Sequence, residues 1–149
     1  MRTLIKNKTI EIYETDTSQK IKIPFFGSQI PAGFPSPADD YLEMSLDLNE
    51  HLIRNPSSTF FARITGSSMI NSGIYDNDIV VIDRSLQPKN DSILVCIIDG
   101  EFTIKRFKKT DENTAYLMPD NPNFKPIKVD QNNNFTIWGV VTYTIHKHD

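Results

Sequence analysis

Ser92-Ile93-Leu94-Val95-Cys96-Ile97-Ile98-Asp99-Gly100-Glu101-Phe102-Thr103-Ile104-Lys105-Arg106-Phe107 decides the fold class. Two runs rich in branched and aromatic residues flank Asp99-Gly100, a dipeptide suited to the positive φ angles of a tight hairpin turn. Runs of the same kind recur at Phe60 to Ile64, Asp78 to Ile82, Thr114 to Met118 and Phe135 to Ile145. Turn residues separate them, as in Asn77-Asp78 and Pro88-Lys89-Asn90-Asp91. Strands this closely spaced, with almost no helical period between them, predict a mainly β protein with a compact all-β body.

Outside that body the patterning weakens. Ile10, Ile12, Ile21 and Ile23 alternate with polar residues, which predicts short extended pieces. Pro24, Pro31, Pro35 and Pro37 each fix φ and remove a donor, so this stretch is neither helix nor central strand and should run accessibly over a surface. One helix is expected, over Asp47 to Arg54, with Asp47 or Asn49 as cap, Leu48, Leu52 and Ile53 on one face, and Pro56 as its stop. Asn121 to Asn134 reads as loop and His146 to Asp149 as a frayed end.

Composition narrows the functions. The 149 residues suit one domain plus a tail. A net charge of −3 argues against holding nucleic acid on a basic surface of its own. No apolar run is long enough to span a bilayer, and the basic start Met1 to Lys8 lacks the apolar stretch of a signal peptide. The lone Cys96 excludes an intramolecular disulfide and fits a small buried strand residue in a reducing, cytoplasmic setting. Neither the tail histidines nor Asp76-Asn77-Asp78 has a metal-ligand spacing, so no metal and no cofactor is expected.

Candidate chemistry rests on Gly66-Ser67-Ser68-Met69 and on Lys105. A serine hydroxyl needs a neighbouring base. His51, His146 and His148 are badly placed for that role, and no Gly-x-Ser-x-Gly elbow exists. Lysine can serve only if it is neutral near pH 7, and burial is the means, because desolvation penalises the ammonium. Alternation places Lys105 on the face of Thr103 and Phe107, but does not say which face is buried. From spacing alone, a solvated strand lysine and a simple turn at Gly66-Ser67-Ser68 are the favoured readings.

The order of several motifs resembles the LexA/UmuD family of self-cleaving serine–lysine peptidases, from about Pro24 to Ile145. Gly33-Phe34-Pro35-Ser36-Pro37-Ala38 is similar to its cleavage-site sequence, Gly66-x-Ser68-Met69 to its nucleophile motif, and Asp99 to Arg106 to its lysine strand. Asn121 to Ile127 and Trp138-Gly139-Val140-Val141 resemble its closing segments. The resemblance implies Ser68 as nucleophile and Lys105 as general base, with the backbone N–H groups of Ser67 and Ser68 as oxyanion hole and a scissile bond at Ala32-Gly33. It also implies an arm at 1–32 removed by self-cleavage, a linker with a short helix at 33–58, and a peptidase body at 59–149. The implied partners are a RecA filament on single-stranded DNA, a UmuC-like Y-family polymerase subunit and a second copy of the chain. Direct sequence-specific DNA binding and membrane association are not implied. A self-cleaving transcriptional repressor of the LexA or phage type is the alternative, although residues 1–32 are too short and too β-branched for a helix-turn-helix.

Overall fold

In the computed structural model, which describes residues 2–6, 10–26, 32–33, 43–130 and 132–149, the strand pattern becomes one large antiparallel sheet. The strands are β1 (Thr3–Lys6), β2 (Ile10–Glu14), β3 (Lys22–Phe26), β4 (Glu43–Asp47), β5 (Thr59–Ile64) and β6 (Ile79–Asp83). They continue with β7 (Ile93–Ile98), β8 (Glu101–Lys109), β9 (Ala115–Met118), β10 (Ile127–Val129) and β11 (Phe135–Ile145). Nine of them form a sheet in the order β1-β2-β5-β6-β11-β7-β8-β9-β10, and β3 and β4 form a separate ribbon.

The hairpin at Asp99-Gly100 forms as expected. Both residues have positive φ, 48° and 81°, and the register runs from Ile98↔Glu101 to Ile93↔Arg106. β11 is the longest strand described and lies between β6 and β7, pairing with both. It therefore joins the half of the sheet that ends in β5–β6 to the half that begins with β7–β8.

Two compact units are distinguished, Asp16–Arg54 on one hand and Met1–Thr15 with Asn55–Asp149 on the other. In the first, β3 pairs with β4 from Lys22↔Asp47 to Phe26↔Glu43. Pro24 thus sits in a two-stranded ribbon, where a missing donor breaks no interior ladder. The helix is shorter than expected: α1 covers Leu48–Leu52, capped by Asp47, whose carboxylate accepts from the Asn49 N–H at 2.9 Å. Leu48, placed on its apolar face by the sequence pattern, is exposed. Ala32 and Gly33 are exposed and bent, while Pro31 and 34–40 lie outside the described residues.

In the larger unit the first fifteen residues, read above as part of an arm, supply β1 and β2 to the main sheet. Ile10 and Ile12 join Ala62, Ile64, Met69, Ile74, Ile82, Ile104 and Trp138 in the principal core. Each fully buried isoleucine contributes roughly 1.5–3 kcal/mol. A second cluster of Cys96, Ala115, Leu117 and Val129 lies beneath Phe107 and Phe135. Two expectations are corrected. The stretch 121–134, read as loop, contains β10, which completes the β9 edge. His146 is no frayed end: its ring nitrogen contacts the buried Asp78 carboxylate, and the ring lies 4.9 Å from that of Tyr75.

Candidate active site

The loop after β5 is built to present residues 67 and 68. Ile64 is tied to the following turn by two backbone bonds, Ile64 N–H to Asp78 C=O at 2.9 Å and Asn77 N–H to Ile64 C=O at 2.8 Å. Gly66 then turns the chain with φ 104°, a conformation costly for any side chain, and its N–H donates to Asp76 Oδ1 at 2.8 Å. Beyond the serines, Met69 is 1% exposed and plugs the loop into the core. Ser67 and Ser68 stay half-buried, within reach of an incoming chain.

A second segment braces this loop. Asp120 C=O accepts from Asn71 N–H at 2.8 Å, and its carboxylate accepts from the Ser72 hydroxyl and, at 2.8 Å, from Arg106 Nε. Arg106 Nη2 also donates to Ser72 Oγ at 2.8 Å. Partial burial opposes ionisation of Asp120, but the bonds from Ser72 and Arg106 outweigh it and hold the carboxyl below its ordinary value. Next to it, Asn121 Nδ2 donates to the Ser67 carbonyl at 2.8 Å, an oxygen that also accepts from Ile70 N–H at 3.2 Å.

Lys105 reaches the same loop from β8. Its Nζ lies 3.0 Å from Ser68 Oγ, 3.1 Å from Thr103 Oγ1 and 3.0 Å from the Ile104 carbonyl. The residue is 8% exposed, so the solvated alternative left open by the sequence does not hold. Among the described residues no carboxylate forms an ion pair with it. Burial lowers its pKa, since the ammonium loses water and gains no counter-charge; a nearby Cys96 opposes this only weakly. Burial also pushes the Cys96 thiol up to about 12, so it remains protonated and neutral.

The three acceptors around Nζ have a chemical consequence. An ammonium could donate to all three. A neutral amine has two N–H bonds and one lone pair. With the carbonyl of Ile104 and the hydroxyl of Thr103 as acceptors, the lone pair is left to face the Ser68 hydroxyl. The arrangement therefore suits proton transfer from Ser68 Oγ to Lys105 Nζ.

The structure thus brings Ser67, Ser68 and Lys105 together, while His51 lies in α1 and His146 pairs with Asp78. No cluster of metal-ligating side chains occurs among the described residues. The bracing residues Ser72 and Asp120 went unnoticed in the sequence, because each lies in a polar stretch with no period to mark it. Asn121 stood out only as the start of a family-like segment, with no role at the site assigned to it. Thr103 could have been found, since it sits two residues before Lys105 on the same face.

Residues 24–142 match the peptidase S24-like family. The chain belongs to the S24 peptidases, of the LexA/UmuD type. It is 41% identical over 141 residues to Protein MucA of Salmonella typhimurium, an alignment covering 93% of this chain and 95% of MucA. Protein ImpA of Salmonella typhimurium is 41% identical over 124 residues, 83% of either chain. The LexA repressor of Clostridium kluyveri is 37% identical over 130 residues, but those are 87% of this chain and 63% of the repressor. As an S24 peptidase the chain is a mainly β enzyme, and no described helix is long and apolar enough to cross a membrane.

Proposed function

We propose that this S24 peptidase cuts its own backbone between Ala32 and Gly33, with Ser68 as nucleophile and Lys105 as general base. The observation that carries the reading is the 3.0 Å approach of Lys105 Nζ to Ser68 Oγ, with Lys105 buried and in no ion pair with a carboxylate among the described residues. Ser68 Oγ attacks the carbonyl carbon of Ala32 while Lys105 takes its proton. The developing oxyanion is held by the N–H groups of Ser67 and Ser68. Asn121 orients this hole: in a trans peptide C=O and N–H point in opposite directions, so fixing the Ser67 carbonyl aims the Ser68 N–H the other way. Lys105 next returns the proton to the departing Gly33 nitrogen, leaving an ester on Ser68. A water, deprotonated by Lys105, then hydrolyses the ester and restores the hydroxyl.

A tethered substrate makes this efficient. Holding a reactant in place can supply about 7 to 11 kcal/mol of the barrier. The small Ala32 and Gly33 let an extended segment descend onto a half-buried serine.

The biological reading follows the UmuD-type relatives. The chain acts in SOS mutagenesis: a RecA filament on single-stranded DNA favours the cleavable state, and residues 33–149, as a homodimer, serve a UmuC-like Y-family polymerase during error-prone translesion synthesis. Its acidic balance fits a cytoplasmic subunit that meets DNA through partners. Identities of 41% to MucA and to ImpA, against 37% to the LexA repressor, support this reading. Incubation with activated RecA filaments and intact-mass analysis tests it. A new N-terminus at Gly33 is expected, and an intact chain after prolonged incubation would refute the reading.

A further inference from the structure

The N-terminal segment is built into the sheet. β2 pairs with β5 over five residues, from Ile10↔Ile64 to Glu14↔Phe60, and Thr15 Oγ1 extends the seam by donating to the Thr59 carbonyl at 3.1 Å. Ile10 and Ile12 are 2% and 0% exposed and pack in the cluster that contains Ala62, Ile64 and Met69. β1 folds back on β2, closed by Glu14 N–H to the Arg2 carbonyl at 3.1 Å. Every one of these contacts lies on the N-terminal side of residue 16 or inside the body. A cut at Ala32-Gly33 breaks none of them.

Building on the self-cleavage reading, we propose that scission leaves β1 and β2 in place as a noncovalently held piece on the β5 edge, so that the immediate product is a two-piece protein. Departure of the piece would uncover the backbone donors and acceptors of Thr59–Ile64, which then becomes an edge strand. It would also open a cavity in the core cluster to which Met69, the residue next to the nucleophile, belongs. The β5 edge is a strand-docking surface, and its resident occupant is β2 of the same chain. Any partner that adds a strand there does so by displacing this segment.

The test makes the cut without relying on self-cleavage. The full Ser68→Ala chain, with a site-specific protease sequence inserted after Ala32, is cut by the added protease and passed over a size-exclusion column with intact-mass detection. Both pieces should elute together at the volume of the uncut chain, and amides 10–14 should keep hydrogen-exchange protection within about tenfold of the uncut chain. Elution of the N-terminal piece alone, or exchange of its amides at unfolded-chain rates, overturns the proposal. So does a dimer that has lost the piece, which would mean that a second copy has taken the edge. In Ile12→Ala the piece should be released at least about tenfold faster, because the lost methyl groups came from a filled core. Unchanged retention in that variant would show that burial is not what holds the strand. A wild-type chain that never cuts itself would remove the self-cleavage reading and leave the retention result standing.

Discussion

Lys105 and Arg106 are neighbours on β8, yet their surroundings differ in one decisive respect. Arg106 meets a carboxylate at 2.8 Å and a serine hydroxyl, and these bonds hold the Asp120 carboxyl below its ordinary value. Lys105 meets two hydroxyls and a carbonyl, all neutral, in a less exposed place. The cation given a counter-charge becomes a brace; the cation denied one is pushed toward neutrality and can act as a base. A carboxylate placed beside Lys105 would keep the ammonium charged and make it a second brace.

The comparison breaks most severely if either member of the reactive pair is lost. Ser68→Ala and Lys105→Ala should each fold, judged by circular dichroism, and cleave at least about 10⁴-fold more slowly. Lys105→Arg should be as inactive, since a guanidinium keeps its proton at any usable pH. Normal processing in any of the three would remove the mechanism. Asn121→Ala, which frees the Ser67 carbonyl, should slow cleavage by about 10- to 100-fold with the chain still folded, measured as single-turnover self-cleavage.

Acidity sharpens the contrast. Because the pKa of Lys105 is lowered, the neutral amine grows with pH, and the rate should rise about tenfold per unit before levelling above that pKa. A rate with no rising limb at any pH below 10.5 would count against Lys105 as the base. The same sign applies to stability. Between the lowered pKa and 10.5 the unfolded chain binds more protons, so the contribution of Lys105 to stability rises with pH across that window. Asp120 gives the same slope in an acid window: its contribution is full above 3.8 and is lost as pH falls through its depressed pKa. Arg106→Ala should have the smallest effect of the series, lowering stability by about 1 kcal/mol, or a few degrees in Tm by calorimetry.

The all-β body was legible because strand formation follows local composition: branched runs and a turn dipeptide at Asp99-Gly100 determine the hairpin wherever it packs. Ser68 and Lys105 stood out through their motifs, but their separation of 37 residues left their proximity to the tertiary fold. Burial of Lys105 was not readable from alternation, because Ile104 and Lys105 are both buried although successive residues point to opposite faces. The membership of β2 in the main sheet was hidden for a related reason. Ile10 and Ile12 alternate as any half-buried strand does, and nothing local names Ala62 and Ile64 as their neighbours. His146 was missed because its partner, Asp78, lies 68 residues away.

The place of β11 has a consequence for synthesis on the ribosome. β6 and β7 do not touch each other in the sheet; the strand wedged between them comes from residues 135–145, made after every other strand described. Until that stretch has emerged, the ladders that join the half carrying the hydroxyl to the half carrying the amine cannot form. The sheet that carries the reactive pair is thus completed by the last strand to be made.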